Sequence, residues 1–170
     1  MMPDPTRHRD RPAAGSRTKA PVSLAAGDTV VAFTWSGDRW RHEVTSGGRW
    51  IAESVEGAGD GDATWPASPA LVELSLVDAG GTAAVVAVGL VGRSHFSASI
   101  TPHPTQPDTL RFEIAGRLQE APRWLGSTYR TPTGIARTPA THPPGFPATV
   151  TWAYTIGPEG ILAEAASDAG

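Results

Sequence analysis

Two ionisable side chains, His42 and Glu53, interrupt a run of apolar positions in the first third of the chain. An imidazole and a carboxylate within hydrogen-bond distance can act together as a base and the group that orients it, or can line a ligand pocket. The alternative is a satisfied buried pair that only fixes how the strands align. Either role requires the fold to bring the two side chains together.

The residues around this pair alternate between apolar and polar types with a period of two, which predicts β-strands. Nine such segments are rich in Val, Ile, Thr and aromatic residues and are bounded by Gly, Pro or Asp, and no segment has a convincing helical pattern. They span residues 29–35, 40–44, 50–55, 70–77, 82–91, 95–101, 109–117, 127–130 and 148–156.

Most connections between these segments are too short for parallel crossovers, so neighbouring strands should be antiparallel. The predicted fold class is all-β, an antiparallel β-sandwich of about nine strands. A closed up-and-down β-barrel is the alternative, since closure also removes exposed sheet edges.

Two turns predict the register of the first three strands. Gly37-Asp38 and Gly47-Gly48 each suit a two-residue hairpin, because glycine reaches positive φ without a Cβ clash. The first turn pairs Phe33 with His42, and the second pairs His42 with Glu53. Directly opposite Cβ atoms lie about 4.5–5.5 Å apart, so we expect a His42–Glu53 pair on an apolar face. That face contains Val31, Phe33, Trp35, Trp40, Val44, Ile51 and Val55, and the opposite, solvent-facing side contains Ala32, Thr34, Arg41, Glu43, Ala52 and Ser54.

A second apolar face follows from turns at Gly80-Gly81 and Gly92-Arg93, by the same reasoning. These turns align three strands whose inward residues would be Val72, Leu74 and Leu76, then Val85, Ala87 and Gly89, then Phe96, Ala98 and Ile100.

Three polar and aromatic segments, 35–42, 92–96 and 123–130, fall at turns or strand ends. Arginine and aromatic residues carry much of the binding energy at protein interfaces, and Arg also binds carboxylates and phosphates with two parallel hydrogen bonds. Convergence of the segments at one rim would create an electropositive, aromatic patch. The predicted binding residues are Arg39, Arg93, His95, Trp124, Tyr129 and Arg130. The alternative is that the tryptophans are core residues and the arginines only solvate strand ends.

Several conventional chemical signatures are missing. Segment 92–96 ends in Phe and not in Gly, so it is no nucleophile elbow, and neither 57–61 nor Gly80-Gly81 opens a predicted helix that could bind phosphate. Asp60-Gly61-Asp62 lacks the ligand spacing of an EF-hand. The chain has five His without close spacing and no Cys, so we predict no metal site and no cofactor.

Charge and composition divide the chain of 170 residues. Residues 1–20 carry five basic and two acidic side chains with almost no large apolar residue, which predicts a disordered basic tail. Residues 21–157 form the predicted single β domain, and 158–170 a flexible C-terminal tail in which 161–166 could add one or two helical turns. The net charge of -3 argues against a nucleic-acid partner.

The longest mainly apolar run, 83–92, is half of the roughly 20 residues that a membrane helix needs, and no secretory leader opens the chain. With no Cys, the expectation is a soluble cytoplasmic protein without a membrane partner.

Three functions fit these patterns. The first, with the fewest assumptions, is a non-catalytic β-sandwich that binds a small polar or anionic ligand, or a protein partner, through the predicted patch. The second is an enzyme or ligand carrier that uses His42 and Glu53 inside a barrel, with Ser127 or Tyr129 nearby. The third is a structural or assembly protein that self-associates through an edge strand or a Trp-bearing patch.

Overall fold

A computed structural model describes residues 19–57 and 65–165. Within these ranges the chain forms twelve strands and no helix. The strands are β1 (Val22–Ala26), β2 (Thr29–Trp35), β3 (Trp40–Ser46), β4 (Arg49–Ser54), β5 (Leu71–Asp78), β6 (Ala83–Val91), β7 (Ser94–Pro102), β8 (Leu110–Leu118), β9 (Gly126–Thr131), β10 (Gly134–Pro139), β11 (Ala148–Gly157) and β12 (Gly160–Ala163).

The strands form two antiparallel sheets of six strands each, packed as a β-sandwich and not closed into a barrel. Sheet A has the order β1-β2-β3-β4-β9-β10, and sheet B has the order β12-β11-β8-β7-β6-β5. The predicted β-sandwich is confirmed. The described part of the chain has no helix of the length and apolar character that crossing a membrane requires.

The core lies between the two inner faces, because every second residue of most strands points inward. Five large side chains are almost completely buried there and come from both sheets. They are Phe33 and Tyr129 of sheet A and Ile100, Phe112 and Tyr154 of sheet B.

The nine predicted strands correspond to β2 to β9 and β11, with bounds that differ by two residues at most. Strands β1, β10 and β12 were not predicted. Strand β12 lies in the segment expected to be a flexible tail, and it pairs with β11 through a turn at Pro158 and Glu159, after which Gly160 has a φ of +103°. Residues 160–163 are therefore part of sheet B, and they are extended instead of helical.

The predicted basic tail lies outside the described residues except for its last two positions. Lys19 contacts the sandwich at the β5 edge: its Nζ donates to the Val72 carbonyl at 2.6 Å and lies 3.3 Å from a Glu73 carboxylate oxygen. The same ammonium lies 4.1 Å from the centroid of the Trp35 ring. Lys19 is thus held against the sandwich by polar and cation–π contacts.

The register between β2 and β3 is the predicted one, with Phe33 opposite His42 and Trp35 opposite Trp40. In sheet B, the predicted alignment of β6 with β7 is also confirmed, since Gly89 lies opposite Phe96 and Ala87 opposite Ala98. The alignment of β5 with β6 is interrupted by a bulge between Leu71 and Glu73. Gly89 therefore pairs with Leu71 and not with Val72, its predicted partner.

The register between β3 and β4 changes at a β-bulge next to Val44. The turn itself closes as predicted, with Ser46 opposite Arg49, but Val44 then pairs with Ala52 instead of Ile51. Ile51 is the extra residue, and both Ile51 and Ala52 are buried. Such a bulge shifts all later side chains of the strand to the other face of the sheet.

Candidate functional site

The predicted pairing of His42 with Glu53 is wrong, and the bulge is the reason. Beyond it, Glu53 lies opposite Glu43 on the outer face of sheet A. Its carboxylate accepts a hydrogen bond from Arg41 at 2.6 Å and lies 3.7 Å from an Arg130 guanidinium nitrogen. Glu53 is therefore a surface residue between two arginines. By the same shift Ala52 and Ser54, expected on the solvent side, point into the core.

His42 is buried as predicted but has different partners. Its Nε2 lies 2.9 Å from the Tyr129 hydroxyl of β9, and its backbone N–H donates to the Ser54 hydroxyl at 2.9 Å. The rings of Phe33 and Phe112 lie on either side, with centroids 5.1 Å and 5.8 Å from the imidazole. Burial lowers the pKa of His42 to about 4, so the imidazole is neutral at pH 7.

The hydrogen bonds continue from Tyr129 into the other sheet. The Tyr129 hydroxyl lies 2.7 Å from that of Tyr154 on β11, and the Trp152 indole N–H donates to the Ser127 hydroxyl at 3.1 Å. Burial raises the pKa of Tyr154 to about 12 and that of Tyr129 as well, so both phenols keep their protons. The sheets are therefore joined through polar groups inside an otherwise apolar core.

Glu56 is a half-buried acid that the sequence argument missed, and its Oε2 atom is shielded from solvent. It follows β4, two residues beyond the inward-pointing Ser54, and the shifted register gives it the same inward direction. Burial raises the pKa of Glu56 to about 7, although Ser54 and the charges of Arg39 and Arg41 act in the opposite direction. Only knowledge of the bulge could have identified it, because an unshifted register places Glu56 on the solvent side.

A small cavity lies between the sheets, where His42 and Glu56 meet the two tyrosines. Its volume is about 20 Å³, enough for one water molecule and too small for a metabolite. The polar residues that line it are His42, Glu56, Ser68, Ser127, Tyr129 and Tyr154, and the others are mostly apolar. The arrangement offers an acid, a neutral imidazole and hydroxyl groups, but no room for a substrate.

The six residues of the predicted binding patch do not form one surface. Tyr129 is in the core, and Trp124 is half-buried, with its indole N–H bound to the Ala67 carbonyl at 3.0 Å. Arg39, at the β2–β3 turn, is paired with Asp38 at 2.8 Å. Three of the six side chains therefore already have partners within the fold.

The remaining three lie on different sheets. Arg130 is exposed on the outer face of sheet A beside Glu53, whereas His95 is exposed on the outer face of sheet B and Arg93 belongs to the β6–β7 turn next to it. The outer faces of a sandwich point in opposite directions, so Arg130 cannot contact a ligand held by His95. The prediction that these residues converge is wrong, but Arg93 and His95 remain neighbours.

The outer face of sheet B carries a broad depression that sequence reasoning did not identify. Its floor is a row of small side chains across four strands, in which Val88 pairs with Ser97, Ser97 with Ala115, and Ala115 with Thr151. The row on one side is Leu90, His95, Arg117 and Thr149, and the row on the other is Val86, Ser99, Glu113 and Ala153. We call this depression the sheet B groove.

The sheet B groove has two halves that share Val88, Ser97 and Ala115, and each half has a volume of about 600 Å³. In the first half, Arg111 forms ion pairs with both Glu113 and Glu164, each at 2.8 Å, so acids outnumber bases there. In the second half, His95 and Arg117 lie side by side on neighbouring strands, and Glu73, which also lines it, lies 3.3 Å from Lys19. We call the second half the basic half after His95 and Arg117.

In residues 19–57 and 65–165, no three His, Asp or Glu side chains are grouped closely enough to hold a metal ion. No protein-family model, no curated protein and no solved structure matches the chain.

Proposed function

We propose that the protein is a non-catalytic binding module that holds a small anionic ligand with an apolar portion in the sheet B groove. The observation that carries this proposal is the adjacent pair of His95 and Arg117 in the basic half of the groove. Across the described residues, no carboxylate lies within ion-pair distance of Arg117. Its guanidinium therefore has free donors that suit a carboxylate or a phosphate.

The surroundings of this pair favour a ligand that is only partly charged. Val88 and Leu90 are both 52 % exposed and border the same half of the groove, so they offer apolar contact that folding alone does not use. The hydroxyl-bearing side chains of Ser97 and Thr149 lie beside Ala115 and Arg117 on neighbouring strands. Glu73 lines the far side, where Lys19 lies 3.3 Å away and offsets its charge.

The size of the groove agrees with a small molecule. Ligand sites commonly measure about 300–1,000 Å³, which includes each half of the sheet B groove. The floor is lowest at Ala115, which lies between the larger side chains of Glu113 and Arg117 on β8. The absence of Cys agrees with a reducing compartment and supports a cytoplasmic location for this binding module.

Isothermal titration calorimetry with octanoate, which combines a carboxylate with a hydrocarbon chain, tests the proposal. We expect saturable binding that Arg117→Gln weakens about tenfold or more, since a hydrogen bond to a charged group contributes about 1.5–3 kcal/mol. Arg130→Gln is the matched control, because it removes the same charge from the outer face of the other sheet. Equal affinity of both variants for octanoate, or no saturable binding by the unmodified protein, would exclude the groove as the site.

Inorganic phosphate and octyl glucoside separate the two parts of the ligand. Phosphate presents an anion without a hydrocarbon chain, and octyl glucoside presents a hydrocarbon chain on an uncharged sugar, so each should bind more weakly than octanoate. Binding of octyl glucoside as tight as that of octanoate would show that His95 and Arg117 do not recognise the charge.

A further inference from the structure

The cavity between the sheets brings together buried polar atoms that have no partner in the described protein. His42 is 9 % exposed, and its Nδ1 has no hydrogen-bond partner, nor has Oε2 of Glu56. Both residues line the cavity. Buried polar side-chain atoms without a hydrogen-bond partner are rare in folded proteins, so two such atoms at one cavity indicate that something joins them.

The hydrogen bonds between the tyrosines and His42 can run in two directions, and the direction decides which His42 nitrogen carries the proton. Where Tyr154 donates to Tyr129, Tyr129 donates to Nε2 of His42, and where Tyr129 donates to Tyr154, Nε2 donates to Tyr129. The first direction leaves Nδ1 of His42 as the donor that faces the cavity.

A neutral imidazole that accepts a hydrogen bond at Nε2 carries its proton on Nδ1. In this direction Nδ1 of His42 is a buried donor, and Oε2 of Glu56 is a buried acceptor whenever the carboxyl group is ionised. A molecule that joins them must both accept and donate a hydrogen bond.

We propose that the cavity is a binding site for one water molecule, which accepts from Nδ1 of His42 and donates to the Glu56 carboxylate. The volume of about 20 Å³ fits one water and nothing larger. A buried water makes about two to four hydrogen bonds, and the hydroxyl-bearing residues Ser68 and Ser127 line the same space. The water completes a polar chain from Glu56, after β4, through His42 and Tyr129 to Tyr154 on β11.

A crystal structure at high resolution tests the site directly. We expect one solvent peak within about 3.2 Å of both Nδ1 of His42 and a Glu56 oxygen. A direct hydrogen bond between Glu56 and His42, or well-ordered surroundings without a solvent peak, would overturn the proposal.

Two variants at one position provide a matched comparison. Glu56→Gln keeps the size of the side chain and a carbonyl acceptor, so the solvent peak should remain. Glu56→Leu removes the acceptor, so the peak should disappear. A peak that persists unchanged in Glu56→Leu would show that Glu56 does not hold the water.

The tautomer of His42 gives a test that needs no variant. The ¹⁵N shifts of the imidazole distinguish protonated from unprotonated nitrogen, and we expect the proton on Nδ1 at pH 7. A proton on Nε2 would reverse the chain of hydrogen bonds and contradict the proposed role of the water. Neither result depends on whether octanoate binds to the sheet B groove, so the two proposals can fail separately.

Discussion

The Tyr129 hydroxyl lies 2.7 Å from the Tyr154 hydroxyl, and this contact joins sheet A to sheet B across the interior. Both side chains are 1 % exposed, so the hydrogen bond is shielded from water. The two hydroxyls belong to a chain of polar groups whose members depend on one another for their partners. Removal of one member should therefore cost more than loss of a surface hydrogen bond.

The Tyr129→Phe variant should destabilise the fold by about 1–3 kcal/mol, since it leaves Nε2 of His42 and the Tyr154 hydroxyl without this partner. Urea unfolding followed by tryptophan fluorescence gives the free energy. Ser36→Ala is the control, because the Ser36 hydroxyl bonds to the Arg39 carbonyl at an exposed turn and its loss should cost about 0.5 kcal/mol or less. Equal losses of unfolding free energy in the two variants would show that the buried hydrogen bonds of Tyr129 stabilise the fold no more than an exposed one does.

Ionisation of Glu56 should make stability fall with rising pH. Its pKa is raised from 4.5 to about 7 in the folded state, so its contribution to stability is fully present below pH 4.5 and is lost as the pH rises through 7. A difference of this size corresponds to about 3 kcal/mol. The charged groups that act on Glu56 are Arg39, Arg41 and Asp38, and the buried tyrosines Tyr129 and Tyr154 share its surroundings.

The Glu56→Gln variant should therefore gain stability relative to the unmodified protein between about pH 4.5 and about pH 8. Glu53→Gln, three positions earlier on the outer face, is the matched control and should show no such gain. The urea midpoints of the unmodified protein and of both variants, measured at about pH 4.5 and at about pH 8, provide the comparison. If the difference in stability between Glu56→Gln and the unmodified protein is the same at both pH values, the raised pKa of Glu56 is contradicted.

His42 should produce the opposite pH dependence. Its pKa is lowered from 6.5 to about 4, so its contribution is fully present above pH 6.5 and is lost as the pH falls through about 4. In the unmodified protein the effects of His42 and Glu56 oppose each other between pH 4.5 and pH 6.5. In Glu56→Gln only the His42 effect remains, so stability should rise with pH across this window, and a flat profile there would argue against burial of a neutral imidazole.

Gly89→Ala should be strongly destabilising, by about 3 kcal/mol or more, because a Cβ at position 89 would collide with the Ala70 carbonyl oxygen. The relevant atom belongs to the backbone and cannot move aside without breaking the start of β5. Gly145→Ala is the control, since nothing lies within 4 Å of a Cβ at that position. Thermal unfolding of both variants gives the comparison, and a small effect of Gly89→Ala would mean that β5 lies farther from β6.

Ala52→Glu tests the shifted register of β4. Ala52 is completely buried, so a carboxylate there should cost several kcal/mol, about 3 or more. Glu53→Ala removes a carboxylate from the surface and should cost less than about 1 kcal/mol, even though Arg41 and Arg130 lose a partner. Equilibrium unfolding in urea measures both variants. A larger loss of unfolding free energy in Glu53→Ala than in Ala52→Glu would indicate the unshifted register, in which Glu53 points into the core.

Much of the fold could be predicted from the sequence because alternation is a local signal. Strand β2 and the turn at Gly37-Asp38 follow directly from the residue types, as does the alignment of Gly89 with Phe96. Strands β1 and β10 are short edge strands with a weaker pattern, and they form mainly because a neighbouring strand offers free hydrogen-bonding groups. Their existence depends on tertiary context that a window of sequence does not contain.

The candidate sites could be predicted only in part. The burial of His42 follows from the alternation of β3, but its partner Tyr129 is 87 residues away and lies on a strand that is not paired with β3. The sheet B groove required the pairing of four strands to be known, because Ser97, Ala115 and Thr151 are ordinary outward residues when each strand is read alone. Arg93 and His95 lie close together simply because they are two residues apart at one turn, and the predicted binding role of the two side chains stays a prediction.

The bulge at Ile51 also determines which kinds of sequence change the hairpin can tolerate. Exchange of one outward residue for another leaves the ladder intact, whereas deletion of a single residue from β4 would straighten it, turn Glu53 inward and expel Ser54 from its bond with the His42 backbone. Variation in this hairpin should therefore occur by substitution and hardly ever by a change of length.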